Sequence, residues 1–487
     1  ATADNNTEVG SSALINDTND ASNTAMGGGA LLDNTTGSQN TAIGHRSLFD
    51  NTTASNNTAL GFETLKLNTT GFNNIAVGSF ALDANTTGSY NTAVGDQSLS
   101  SNIDGEYNIA VGHKTLELNT VGRRSTAVGA FALRTQNPSS STLMYNSALG
   151  YATLYANTTG VQNTHMGAFS GYVMTTGSGN TALGYESLYS NTTADNNTAV
   201  GNAALRLNTT GTHNVAVGKS GLQSNTTASG NTAVGSEALS ACSTGHSNTA
   251  VGNYALQDLT TATHCTGLGK SALTDNTTGA FNIGIGNFSL FENTTGGNNT
   301  AVGYNALASN TTASGNTAVG SAALDANTTG SLHVAVGISA LGSNTTGNYN
   351  TACGREALAL NTTGSSNVAV GLNALSQNTT ANENTAVGRN VLVNNTTGDL
   401  NTGVGAFSLD ACTTGHGNAT LGYDTGGAIT TGSSNVVIGD ESGGVITTGN
   451  NNICIGHNAE PSSNNAQIQI VLGANVTGTS DYQVTIG

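Results

Sequence analysis

The chain has 487 residues, of which 8% are charged, with no Trp, two Pro, 65 Gly and a formal net charge of −17. That mix is unlike an ordinary enzyme or a charged disordered tail, and 11 Lys plus Arg without a basic run exclude recognition of a phosphate backbone, so no nucleic-acid partner is expected. No stretch approaches the ~20 apolar residues of a membrane span, so no membrane insertion within the chain is expected.

In chain order, the first element is Asn6-Thr7-Glu8-Val9-Gly10, and Asn-Thr-Ala-Val-Gly or a close variant then returns every 17 residues, with glycines at 10, 27, 44, 61, 78, 95, 112 and 129. The period breaks once, between Gly129 and Gly150, where four extra residues enter around Pro138, and it holds again to Gly456. A fixed short period marks a solenoid, in which each repeat buries its apolar face only against its neighbours. Counted from its glycine as position 0, the unit reads Gly-x-x-small-Leu-x-x-Asn-Thr-Thr-Gly-x-x-Asn-Thr-Ala-Val, with Gly44 to Gly61 a typical copy. Short β-branched clusters between Gly and Asn turns leave no room for a helix. The sequence therefore predicts an all-β fold, a parallel β-solenoid (β-roll) of 17-residue coils. Each coil is expected to carry two short strands, and stacking at ~4.8 Å gives a rod of ~125 Å. The array spans 6–456 with an irregular loop over 134–145, and 457–487 is expected to supply capping or transition strands.

Comparing the repeats with one another assigns side-chain directions. Leu holds position 4 in 23 of 26 coils; the exceptions are Gly171, Gly426 and Gly443, and in those coils the Asn three residues later becomes Met174, Ile429 and Ile446. Close-packed interiors penalise voids, so the two positions are expected to share one cavity, and the Asn of Asn-Thr-Thr is expected to point inward in a hydrogen-bonded ladder. Cys242, Leu259 and Cys412 at the same register agree with that. In the strand, Ile75 and Val77 and their equivalents should face one way, leaving Ala and Gly as a smooth apolar stripe on the other face. That stripe is expected to pack against other copies of the chain.

Little in the sequence points to chemistry. Asn-Thr-Thr is also a glycosylation sequon and occurs 16 times, from Asn34 to Asn395, but an inward Asn is expected to stay bare. Cys242/His246 and Cys412/His416 share a spacing that offers two ligands per site, too few for a metal. The five cysteines form no tight pairs and imply no disulfide framework. Asp17, Asp104 and Asp399 sit at three different coil positions, and His165, His213 and His333 are scattered single substitutions. No catalytic, cofactor or metal site is expected, and the chain reads as no enzyme. The loop from Arg134 to Thr142, with Arg123 and Arg124 one coil earlier, is either a recognition patch or a tolerated insertion. His45, Asp96, Lys219 and Arg355, just after their glycines, should decorate the outside.

Asn91-Thr92-Ala93-Val94-Gly95, with the small residue and Leu that follow, resembles the head repeats of YadA-type trimeric autotransporter adhesins, over Asn6 to Gly456. Ile470-Val471-Leu472-Gly473 and Val484-Thr485-Ile486-Gly487 are similar to isolated strands of phage and viral tail fibres. The resemblance implies a left-handed β-roll, three chains around one axis and a role in attachment. The added Asn-Thr-Thr segment departs from that family, and the sequence shows neither a heptad stalk nor a barrel anchor.

The function expected from all this is a structural and adhesive fibre, extracellular or at a cell surface. It would associate with itself as a homotrimer and meet a surface receptor, matrix or glycan that the residues do not specify. A virion tail-fibre segment is one alternative. An ice-binding solenoid is another, because Thr35, Thr52 and Thr69 should point outward in a regular rank. A polysaccharide lyase or hydrolase is disfavoured by the missing carboxylate cluster.

Overall fold

The structure is a computed structural model and describes residues 5–18 and 22–487. The chain divides into two compact units, residues 1–246 and 247–487. Unit one holds strands β1 (Thr7–Val9) to β14 (Thr232–Val234), and unit two holds β15 (Thr249–Val251) to β29 (Val484–Ile486). Each unit is a parallel β-solenoid, and no helix occurs among the described residues.

Every strand is three residues long, and neighbours pair in parallel one repeat apart, as in Thr41↔Thr58, Ala42↔Ala59 and Ile43↔Leu60 in unit one. Thr300↔Thr317, Ala301↔Ala318 and Val302↔Val319 do the same in unit two. The 17-residue register continues past Gly456 to the strand Ile470–Leu472, and Val484–Ile486 pairs with it.

The expectation of two strands per coil is corrected: each coil has one. The remainder is a chain of turns, because several of its residues take a left-handed backbone. In the coil from Gly44, φ is +137° at Gly44, +54° at Arg46, +48° at Leu48 and +63° at Asn56. Such a backbone cannot extend, yet its amides still bond across coils, Arg46 N–H to the Gly28 carbonyl and Leu48 N–H to the Thr64 carbonyl, each at 3.0 Å. The left-handed requirement also explains why position 4 is Leu and never Val or Ile, since β-branched residues are true outliers there.

The inward positions of that coil are Ser47, Leu48, Asn51, Ala54, Asn57 and Ala59, all buried. The apolar stripe expected on the outside is therefore an inner wall. Ala42, Ala59, Ala76 and Ala93 are 0% exposed within a single chain, and Thr with Val, Ile, Leu or Met faces out. The cause is the narrow bore: a Cβ added at Gly267 would sit 3.2 Å from Cγ of Leu256, so at that coil even a methyl is tight.

The Leu/Asn exchange needs a third partner. At Gly426 the space is met first by Cδ1 of Ile429, 3.0 Å from an added Cβ, as expected of a shared cavity, whereas at Gly443 Cγ1 of Val437 at 2.7 Å comes before Cδ1 of Ile446 at 3.4 Å. At Gly171 the nearest atom is Cε1 of His165, at 2.6 Å, and Met174 is not among the closest neighbours. His165, Thr420 and Val437 replace Ala in the strands that precede these three glycines, so volume is conserved among three positions rather than two. Gly171→Leu should therefore cost ~1–3 kcal/mol both alone and with Met174→Asn, while adding His165→Ala to that pair should bring the thermal midpoint back to wild type or above. Thermal unfolding of the four proteins checks this.

The glycine at position 0 is fixed by conformation and contact together. Gly218 has φ +136°, and a Cβ there would enter the carbonyl of Gly235 in the next coil, whereas a Cβ at Gly221 would meet nothing closer than 3.6 Å. Gly218→Ala is expected to destabilise by on the order of 3 kcal/mol, and Gly221→Ala to be neutral or stabilising by about 0.5 kcal/mol. Chemical denaturation of the two variants separates them.

Candidate functional site

Two columns of asparagine run inside each unit. In the column from Asn-Thr-Thr, Asn51 Nδ2 donates to Asn34 Oδ1 at 2.8 Å and to the Ala54 carbonyl of its own turn at 3.1 Å. In the column that precedes each strand, Asn40 Oδ1 accepts the backbone N–H of Asn57 at 3.0 Å, and Asn40 Nδ2 donates to the same Ala54 carbonyl at 2.9 Å. Unit two repeats the pattern, with Asn310 and Asn299 converging on the Ala313 carbonyl at 3.1 and 2.9 Å. The Asn-Thr-Thr asparagines from Asn34 to Asn395 are fully buried, as an inward ladder requires. The second column was missed in the sequence reading. Its signal was there, because Ser125, Cys265 and His333 replace Asn at that register much as Cys replaces Asn at the other.

The chemically suggestive residues turn out to be ladder members. Cys242 Sγ donates to the Gly245 carbonyl at 3.2 Å and Cys412 Sγ to the Gly415 carbonyl at 3.6 Å, the bonds an Asn makes there. Burial pushes their thiols up, to about 12 and about 11. His246 and His416 lie on the outside, so neither Cys/His pair shares a site. His333 stands in for an Asn of the second column. Its Nδ1 accepts the backbone N–H of Asn350 at 3.1 Å, and its ring also bonds the Gly347 carbonyl. Asp17 takes a ladder position too, accepting from Asn6 Nδ2 at 2.8 Å and Asn34 Nδ2 at 3.3 Å. Asp399 Oδ1 accepts the Asn382 N–H at 2.6 Å, a turn contact.

The residues of the irregular loop are tied down by their neighbours. Arg123 pairs with Glu106 at 3.3 Å and forms a bridge with Leu143, and Arg124 lies between the rings of Tyr107 and Tyr145. Arg134 donates to Glu117 and to the Tyr155 hydroxyl. Gln136 keeps the ladder intact, its Nε2 3.1 Å from Asn119 Oδ1, and the four added residues leave the wall between Gln136 and Asn146.

What remains for recognition is outside. His45, Asp96, Lys219 and Arg355 are exposed. The Thr35 rank is half-buried, and its hydroxyl donates to the Thr52 carbonyl at 2.9 Å, so that rank spends its donors on coil stacking. The strand face presents two other ranks. Thr, Ile or Val stands at position 14 and Val, Ile, Leu or Met at position 16, apart from Ser147, Ala419 and Cys353, and no charged residue occurs at either from Thr7 to Ile486. Leu60, Ile75, Met166 and Leu183 on that face are 44 to 46% exposed. Among the described residues no group of three or more His, Cys, Asp or Glu could hold a metal, and no helix is long and apolar enough to cross a membrane. In comparisons with known proteins, no family model and no curated protein matches the chain.

The buried histidines make stability depend on pH. Burial holds His165 down to about 3, with only Ser170 Oγ against Nδ1 at 2.9 Å, and burial lowers His333 as well. The unfolded imidazole titrates near 6.5, so below that pH the unfolded chain takes up protons that the folded chain refuses, and stability falls as the pH drops from about 6.5 toward about 3. Replacing both groups, His165→Ala with His333→Asn, should flatten the fall of the thermal midpoint between pH 7 and pH 4 relative to wild type.

Proposed function

We propose that the chain is a structural and adhesive fibre, extracellular or at a cell surface, whose copies associate through their strand faces. The observation that carries this reading is the uncharged double rank of Thr and aliphatic side chains. Fourteen strands at ~4.8 Å spacing and ~10 Å width give unit one roughly 650 Å² of such surface, near the ~800 Å² per partner of a stable interface. About half of it, the aliphatic rank, is a continuous exposed apolar stripe of a kind rarely left in water. Three parallel copies around one axis, the arrangement the YadA-type resemblance implies, would cover it in all of them at once, and a left-handed coil belongs to the same proposal. The corrected inside and outside move the contact from the Ala column to this face. A virion fibre would use the same assembly. No catalytic role is proposed.

A flat two-rank face with Thr in one rank also favours a second reading, in which a single chain binds ice. The two readings part on oligomeric state. Light scattering at micromolar concentration is expected to give a trimer mass, and Val200→Lys with Val217→Lys should shift it to the monomer while leaving the circular dichroism unchanged. Cys353 lies on the same face and is exposed, whereas the other four cysteines are buried. In parallel, in-register copies Cys353 stands opposite itself, so mild oxidation should give a disulfide-linked dimer on a non-reducing gel. A monomeric wild type that shows thermal hysteresis would replace association with ice binding.

A further inference from the structure

Aromatic side chains cluster on the turn face of unit one, between Gly112 and Gly201. His113, Phe131, Tyr151, Phe169 and Tyr185 form one file at positions 1 and 2, and Tyr155, Tyr172 and Tyr189 form a second at position 5. Ala152 holds position 2 between Phe131 and Phe169. The missing ring leaves a cleft of about 210 Å³ lined by Phe131, Tyr151, Ala152, Tyr155, Phe169 and Tyr172.

Ring orientation sets what the cleft can hold. Tyr151 stands at 88° to Phe131 and 77° to Phe169, with centroids 5.8 and 5.4 Å apart, and is 50% exposed, so half of the residue is open to a ligand. Tyr155 and Tyr172 stack on each other, 5.1 Å apart at 21°. The charges at the rim are paired: Arg134 bonds Glu117 and the Tyr155 hydroxyl, and Arg206 bonds Glu186 at 2.6 Å. The cleft therefore offers aromatic surface, phenolic hydroxyls and a rim whose cations are all bonded to carboxylates, Lys114 and Arg134 to Glu117 and Arg206 to Glu186.

We propose that this cleft binds a neutral saccharide chain, which deepens the adhesive reading and rests on it. A sugar ring has an apolar C–H face and a rim of hydroxyls, so it can lie against the exposed part of Tyr151 while its hydroxyls meet the phenols and the paired Arg and Glu. Two coils advance ~9.6 Å, close to the length of an extended disaccharide, so the chain would run along the aromatic files. Because each rim cation is already paired with a carboxylate, a polyanion is disfavoured. A second column differs: Tyr90 and Tyr107 stack at 4.8 Å and 4°, and Arg124 lies over the ring of Tyr107, so both faces of Tyr107 are engaged.

Affinity gel electrophoresis of the full chain in gels containing β-linked glucan, galactomannan or hyaluronate tests the proposal. At least one neutral polysaccharide is expected to retard the wild type, with hyaluronate giving no retardation. Tyr151→Ala with Tyr172→Ala should weaken binding at least tenfold, and Tyr107→Ala should leave it unchanged, all at a temperature where circular dichroism shows each variant folded. Rings that merely staple coils would lower the thermal midpoint without changing retardation. No retardation by either neutral polysaccharide, retardation by hyaluronate alone, or equal retardation of the double variant would overturn the site. If the wild type adheres to protein-coated surfaces but neither neutral polysaccharide retards it, the adhesive reading stands and the saccharide site fails.

Discussion

The structure depends on satisfying the backbone inside a coil too narrow to hold a conventional core. Each turn leaves carbonyls pointing into the bore, where water does not reach, and an unpaired buried carbonyl is costly. The carbonyl of Ala54 shows the solution, taking one bond from Asn51 of its own coil and one from Asn40 of the coil before. Asparagine suits the task because its amide carries both donors and an acceptor on a short stem, so one residue can bond along the stack and across the turn at once. Leu in a left-handed backbone and Ala on the inner strand wall fill the space that the amides leave.

This construction separates stability from surface. Inward positions admit only residues that copy the Asn bonds or conserve volume, which is why Cys242, Cys412 and His333 look reactive in sequence and sit in the wall as structural groups. Outward positions carry no such restriction. Between them the coils vary from His45 to Lys219 to Arg355 just after the glycine, while the strand face stays uncharged throughout. A surface that varies coil by coil suits recognition, and one that never varies in charge suits a repeated contact.

The repeat, its 17-residue period, the parallel solenoid and the inward Asn-Thr-Thr column were legible in the sequence because substitutions among copies report what each position tolerates. The inner and outer faces of the strand were not. Alternation shows that Thr and Val share a face, but which face is inside depends on the bore, and the bore is set by the left-handed residues Arg46, Leu48 and Asn56, of which only Asn56 is of a type that favours that backbone. The second strand failed for the same reason. The aromatic cleft escaped notice because its residues fall at positions 1, 2 and 5, which become one surface only when the coils are stacked.

Where the ladder fails, it fails locally and in one direction. Along the Asn-Thr-Thr column the amide donates to the coil before it, with Asn157 after the irregular loop as an exception, so replacing an Asn leaves the oxygen of the preceding coil without a donor. Asn157, Asn225 and Asn395 have such orphaned oxygens, and the residues one coil later are Met174, Cys242 and Cys412. The fault goes no further. Asn191 places its amide 3.3 Å from Met174 Sδ and still bonds the Ala194 carbonyl at 3.1 Å, and Asn208 bonds Asn191 Oδ1 at 3.3 Å. In a structure where each coil touches only its neighbours, a defect costs about one hydrogen bond and is contained within a coil or two. A fold that absorbs such losses one coil at a time can accept a His in its core, an insertion in its wall or a file of aromatics on its turns without losing register, and this lets a monotonous repeat carry local, distinct surfaces.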